Sequence, residues 1–129
     1  MAKESVLREK SYAFAIRAIN LAKFLREEKK EYILSKQIVR CGTSIGANIE
    51  EASGAQSNND FIAKLHISLK EAKETHYWVR LLRDTEYISK EQAQSLIEDI
   101  DEVITILTRS LKTIKSNNVS PHKKIRLTS

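Results

Sequence analysis

The chain has 129 residues, a length typical of a single domain whose core needs neither a disulfide nor a metal. Hydrophobic residues make up 41% and charged residues 30%, with a net charge of +5, and this composition argues against global disorder. Only three Gly and one Pro occur, too few for the turns of an all-β or doubly wound domain, so we expect long helices.

The first predicted helix covers residues 4–29 and has apolar side chains on two separate faces. One face is a stripe suited to the core of a bundle: Leu7, Phe14, Ala18, Leu21 and Leu25. The second face carries Tyr12, Ile16 and Ile19. It indicates either a contact with another copy of the protein or a core-facing side that is simply wide, and the sequence leaves both open.

The second predicted helix covers residues 35–53, with Ser35 as its N-cap and Gly54 as the left-handed residue that closes it. Polar side chains three or four residues apart form a ridge beside its apolar stripe: Gln37, Arg40, Ser44, Asn48 and Glu51. Gly42 and Gly46 lie on the other side of the stripe. Because each glycine costs a helix about 1 kcal/mol relative to alanine, the two predict that another backbone comes close there.

The third and fourth predicted helices cover residues 58–83 and 89–115. Ser89 and Gln92 form a capping box at the start of the fourth. The core stripe of the third contains apolar side chains and one histidine: Phe61, Leu65, Leu69, Ala72, His76 and Val79. Together the four helices predict an all-α, antiparallel up-down four-helix bundle over residues 1–116.

The loop between the second and third helices is short, so these helices are expected to be antiparallel neighbours. Counting back from the loop places Arg40 near Glu71 and Glu51 near Lys64. The polar ridge of the second helix therefore meets charged partners on the third.

Residues 117–129 lack helical periodicity and carry +3 of the net charge, which predicts a disordered basic tail. The rest of the chain carries only +2, and so small an excess does not by itself favour nucleic-acid binding. The longest uncharged stretch, residues 41–49, is far shorter than a membrane span, and one cysteine allows no internal disulfide. We therefore predict a cytoplasmic protein without a membrane partner.

Residue patterns that carry catalysis or bind metals are absent from the sequence. No Glu has a His three residues later, as a di-iron site in a bundle requires, and Cys41 lies in an apolar stripe where a thiol is inert. Trp78 is a better candidate for a packing anchor than for a base-stacking platform, because stacking usually uses several exposed aromatic residues. We predict no enzyme, no metal site and no cofactor.

The second helix also carries a pattern that an amphipathic helix alone does not require. Residues 37–40 and 44–52, which include Ser-Ile-x-x-Asn-Ile-x-Glu, resemble the signature of the four helix bundle protein family, also called the 23S rRNA-intervening sequence proteins. Residues 60–78 are similar to one branch of that family, and the resemblance covers about residues 10–115. Gly46 stands where the family often has proline.

The resemblance implies up-down bundles that assemble as ring-shaped homopentamers. It also implies a relation to accessory subunits of reverse transcriptases in diversity-generating retroelements, which bind nucleic acid, although the role of most members is unknown. The residues that carry the motif, and those facing them, are Arg40, Ser44, Asn48, Glu51, Lys64 and Glu71. They are expected to form either a buried polar network that fixes helix packing or a contact between subunits.

Two functions are consistent with these features. The first is a non-enzymatic oligomeric adaptor that binds RNA, DNA or a nucleic-acid-bound protein, since a weakly basic face repeated around a ring binds by avidity. The second is a structural or protein-partner scaffold that binds no nucleic acid.

Overall fold

The structure, a computed structural model, describes residues 2–117 and the side chains of residues 6–116. Its helices are α1 (Ala2–Glu28), α2 (Leu34–Ser53), α3 (Asn58–Asp84) and α4 (Lys90–Asn117). No strand occurs between residues 2 and 117. Asn117, the first residue of the predicted tail, ends α4, and residues 118–129 lie outside the described part of the chain.

Consecutive helices pack side by side, and α1 also packs against α4, which closes the bundle. The short loops make neighbouring helices antiparallel. The predicted fold class, an all-α up-down four-helix bundle, is confirmed. Over residues 2–117, none of the helices combines the length and apolar character needed to cross a membrane.

Apolar side chains spaced three, four and seven residues apart place one buried stripe of each helix in a common core. The stripes of α1 and α2 were identified from the sequence, and most of their members are buried: Leu7, Phe14, Ala18, Leu25, Ile38, Cys41, Ile45 and Ile49. Leu21, also predicted for the α1 stripe, is only partly buried. The stripe of α4 is continuous from Ala93 to Ile114. The core is therefore built mainly from aliphatic side chains.

The buried face of α3 contains half of the predicted stripe, since Leu65, Ala72 and Val79 are buried. Phe61, Leu69 and His76 are only half-buried. The buried side chains on the side of α3 that faces α2 are polar: Ser68, Glu71 and Thr75. The hydroxyls tolerate burial because they donate to backbone carbonyls, from Ser68 to Ile45 of α2 at 2.9 Å and from Thr75 to Glu71 at 2.7 Å.

The start of α2 differs from the prediction, because Ser35 is not its N-cap. The Glu31 carboxylate accepts hydrogen bonds from the backbone N–H groups of Leu34 at 2.9 Å and Ser35 at 2.8 Å. The Ser35 side chain is buried, and its Oγ has no hydrogen-bond partner among the described residues. An acidic side chain one turn upstream thus satisfies the free N–H groups of this helix.

The predicted left-handed residue at the end of α2 is also wrong, since Gly54 has φ −104°. Left-handed backbone occurs instead at Lys30 (φ 53°) and Glu86 (φ 65°), which follow α1 and α3. The capping box of α4 is confirmed. The Ser89 N–H donates to Gln92 Oε1 at 2.8 Å, and the Gln92 N–H donates to Ser89 Oγ at 3.0 Å.

The two glycines of α2 face α1 of the same chain. Gly42 lies against Ala18 and Gly46 against Ser11. A Cβ carbon on Gly46 would be 3.3 Å from the Ser11 carbonyl oxygen. The close approach predicted for these glycines is therefore a contact within the bundle.

Candidate functional site

The polar ridge of α2 meets α3 in a connected group of five side chains. Arg40 Nη1 donates to Glu71 Oε1 at 3.3 Å, and Arg40 Nη2 pairs with Glu74. Gln37 Oε1 accepts two hydrogen bonds from Arg40, at 3.0 and 3.1 Å. Trp78 Nε1 donates to Glu74 Oε2 at 3.0 Å. We call these five side chains the α2–α3 network.

Charge compensation holds the α2–α3 network together. Burial disfavours the charged form of Arg40, but the attraction and hydrogen bond to Glu74 outweigh it, so the pKa of Arg40 is raised. The Glu71 side chain is only 12% exposed, and a carboxylate so placed depends on its cation partner. Arg40 itself is 48% exposed, so Glu71 is the buried member of a network that otherwise lies at the surface, and both roles predicted for the ridge stay predictions.

The other ridge residues make different contacts. Ser44 Oγ donates to the Arg40 carbonyl at 2.6 Å, and Asn48 Nδ2 donates to the Ser44 carbonyl at 2.8 Å, both within α2. Glu51 pairs with Lys64 of α3 at 3.0 Å, and this hydrogen bond raises the pKa of Lys64. The structure therefore brings Glu51 and Lys64 together across the helices, whereas Ser44 and Asn48 bond within their own helix.

The outward face of α3 carries an exposed stripe that was not predicted. Its members are spaced four, three, four and three residues apart, and we call them the basic stripe: His66, Lys70, Lys73, Tyr77 and Arg80. The two acids in the middle of the same helix, Glu71 and Glu74, turn towards Arg40 of α2. In this middle part of α3 the charges are thus separated by face, with the two glutamates against α2 and the basic stripe towards solvent.

A groove between α3 and α4 continues the basic stripe. It has a volume of about 380 Å³ and an apolar floor that includes Leu69 and Leu111. His66 of α3 and Lys112 and Lys115 of α4 also line it. Within the described residues, no ion pair involves the lysines of this region, whereas Lys10 and Arg17 of α1 pair with acids of α4. The stripe and the groove therefore form one surface whose lysines have no ion-pair partner among the described residues.

The second apolar face of α1 is exposed. Tyr12 is 68% exposed, Ile16 48% and Ile19 40%, so the alternative of a wide core-facing side is wrong. We call these three residues the α1 apolar face. Val39 of α2 is also exposed and lies one turn before Gly42, which contacts Ala18 of α1. Apolar side chains are thus displayed along the outer surface where α1 and α2 meet.

Residues 3–109 match the family model described as 23S rRNA-intervening sequence protein. The chain belongs to this family. It is also similar to a crystal structure of a protein of unknown function from the S23 ribosomal protein family of Bacteroides thetaiotaomicron VPI-5482, at 55% identity and a TM-score of 0.84. That match covers 85% of this chain and 98% of the other. No curated protein matches the chain.

Cys41 and His76, which lie in the apolar stripes of this 23S rRNA-intervening sequence family member, are buried or already bonded. Burial raises the pKa of the Cys41 thiol, which keeps it protonated. His76 Nε2 lies 3.3 Å from Asp101, and His76 Nδ1 accepts a hydrogen bond from Arg80. The described residues contain no group of three or more side chains that could hold a metal ion.

The basic stripe could have been found in the sequence of this family member. Its charged residues have helical spacing, which is the signal for one face. The two glutamates that lie between Lys70 and Arg80 along the chain hide this signal, because a count of charges by position makes α3 look balanced. Assigning each charge to a face of the helix reveals the imbalance.

Proposed function

We propose that this protein is a non-enzymatic adaptor that binds nucleic acid through the basic stripe of α3 and the adjoining lysines of α4. The observation that supports this most directly is the exposure of Lys70 and Lys73 on a face from which Glu71 and Glu74 are turned away. The family description refers to 23S rRNA, which makes RNA the first nucleic acid to test.

The dimensions of the basic stripe suit a polyphosphate backbone. From His66 to Arg80 the helix rises about 21 Å at 1.5 Å per residue. Phosphates of a stacked strand follow one another every 3.4 Å, so about six nucleotides could run along the stripe. Each lysine or arginine that neutralises a phosphate releases a condensed counterion, which favours binding at low salt.

Self-association would strengthen such a surface. We propose that copies of the protein assemble through the α1 apolar face, because exposed isoleucine and tyrosine side chains grouped on one helix face are typical of an interface. The homopentamer implied by the family resemblance is the assembly we expect. Repetition of the basic stripe around such a ring would raise the affinity for a long RNA by avidity.

Binding of RNA is tested by fluorescence anisotropy with a short labelled RNA at increasing salt. We expect Lys70→Gln/Lys73→Gln to weaken binding by about thirtyfold at low salt, since each of the two charges contributes roughly 1 kcal/mol at a protein surface and about 1.4 kcal/mol is a factor of ten. The slope of log affinity against log salt should fall by about 1.5, as two phosphate contacts are lost.

The matched control is Lys36→Gln/Lys90→Gln, which removes the same charge from exposed positions at the start of α2 and α4. It should bind nearly as the wild type does. Equal weakening by both double variants would mean that net charge, not the basic stripe, drives binding. If the wild type binds no RNA or DNA even at low salt, the scaffold function is favoured instead.

The assembly is tested separately by analytical ultracentrifugation. Ile16→Glu/Ile19→Lys should dissociate the oligomer without loss of helical content, because both side chains are exposed in the single chain. The wild type running as a stable monomer at micromolar concentration would contradict the proposed assembly. RNA binding by such a monomer would leave the proposed role of the basic stripe intact.

A further inference from the structure

Tyr77 is an exposed aromatic residue in the middle of an otherwise charged stripe. Its side chain is 48% exposed, and it lies one helical turn from both Lys73 and Arg80. Two other exposed tyrosines, Tyr12 and Tyr32, lie on α1 and in the loop after it, and the Arg26 guanidinium carbon lies 5.8 Å from the centre of the Tyr32 ring. Tyr77 is the exposed tyrosine that lies on the basic stripe, with a cation one helical turn away on either side.

The Tyr77 ring has a defined orientation. It packs edge-on against Trp78, with ring centroids 5.2 Å apart and an angle of 68° between the planes. The Arg80 guanidinium carbon lies 5.8 Å from the centre of the Tyr77 ring. Trp78 is itself fixed by its hydrogen bond to Glu74, so the tyrosine rests on the α2–α3 network. An ordered ring loses little conformational entropy when a ligand stacks on it.

Core packing accounts for Trp78, which lies against the hydrophobic core, but Tyr77 is not among the side chains packed there. Surfaces that hold single strands combine cations, which neutralise phosphates, with exposed aromatic rings on which unpaired bases stack, usually several of them. Tyr77 supplies one such ring per chain. In a duplex the faces of the bases are covered by their neighbours, so this contact is not available.

We infer that Tyr77 is the base-stacking residue of the basic stripe and that it gives this surface a preference for single-stranded over double-stranded nucleic acid. The inference rests on the proposed function, because it assigns a substrate class to the same surface. Arg80 assists because its guanidinium lies over the Tyr77 ring while its Nε donates to His76, so that its terminal nitrogens can reach a phosphate of the strand whose base stacks on the ring.

The full chain is titrated with an oligouridine RNA and with an RNA duplex of the same length, both fluorescently labelled. Tyr77→Leu should weaken binding of the single strand about fivefold or more, the effect typical of one lost stacked base. Binding of the duplex should stay nearly constant. Tyr77→Phe should behave as the wild type, because the ring and not the hydroxyl makes the contact. Tyr32→Leu is the matched control for loss of an exposed tyrosine.

A second measurement needs no variant. Trp78 is the single tryptophan of the chain and touches the Tyr77 ring, so a base stacked on Tyr77 should quench tryptophan fluorescence. Unlabelled oligouridine should quench it and the duplex should not. Equal effects of Tyr77→Leu on both RNAs, or no effect on either, would overturn the inference while leaving the proposed function standing. Absence of binding to either RNA by the wild type would overturn both.

Discussion

Gly42 of α2 lies so close to Ala18 of α1 that a Cβ carbon placed on the glycine would be 2.6 Å from the alanine Cβ. Real Cβ atoms do not approach so closely. The backbones of α1 and α2 can therefore come this near to each other only because Gly42 has no side chain. This contact explains why the helix tolerates a residue of low helix propensity. It also positions the α1 apolar face beside α2.

Gly42→Ala is expected to destabilise the protein. Overpacking typically costs about 1–3 kcal/mol, which exceeds the gain of about 1 kcal/mol in helix propensity. Urea denaturation at one fixed protein concentration measures the change. Combining Gly42→Ala with Ala18→Gly should recover part of the lost stability, since Ala18→Gly removes the Cβ carbon that clashes. Gly46→Ala should be tolerated better, its nearest contact being 3.3 Å away. A Gly42→Ala protein more stable than the wild type would contradict the packing described.

Removing the cation of the α2–α3 network should leave a nearly buried carboxylate unpaired. Arg40→Met keeps much of the side-chain volume but deprives Glu71 and Glu74 of their partner. We expect a loss of about 1–3 kcal/mol in unfolding free energy, the cost of an unsatisfied buried group. Glu71→Gln in the same background should restore part of it, because a neutral amide is cheaper to bury.

The Lys64–Glu51 pair provides a matched control on the same two helices. Glu51 is 58% exposed, so Lys64→Met should cost less than about 1 kcal/mol, as surface ion pairs do. If Lys64→Met and Arg40→Met lower the free energy of unfolding by the same amount, the α2–α3 network has no special structural role. A large effect of Arg40→Met on RNA binding with unchanged stability would instead support a binding role for the ridge.

The sequence predicts the bundle well because the apolar residues of the core recur at helical spacing along the chain. Apolar spacing identifies the stripes of α1, α2 and α4, and a short loop suffices to place Arg40 near Glu71. Apolar spacing also identifies Leu65, Ala72 and Val79 of α3, but it does not predict the polar part of the buried face of that helix. Ser68 and Thr75 are buried because their hydroxyls bond to backbone carbonyls, and a pattern of apolar residues carries no signal for such contacts.

Helix ends were predicted less well, and the start of α2 shows why. Ser is a favoured N-cap, but Glu31 reaches the same N–H groups from a turn earlier. Glu31→Ala should therefore cost about 1 kcal/mol, the usual value of a lost cap. Ser35→Ala should be neutral or slightly stabilising, because it removes a buried hydroxyl without a partner. The melting temperatures of the two variants check this order. If Ser35 were the cap, Ser35→Ala would lower the melting temperature more than Glu31→Ala.

The backbone conformations of Glu86 and Gly54 allow a last test. Introducing a glycine at Glu86 and removing the glycine at position 54 should both leave the protein at least as stable as the wild type. Glu86→Gly should stabilise the protein by up to about 1 kcal/mol, because glycine adopts φ 65° without steric strain. Gly54→Ala should also be neutral or stabilising by about 0.5 kcal/mol, since φ −104° suits any residue and an added Cβ finds its nearest atom 3.9 Å away. Urea midpoints at equal protein concentration would measure both. If Gly54→Ala instead lowered the stability, Gly54 would have to be left-handed, as the sequence predicts for a glycine that directly follows a helix.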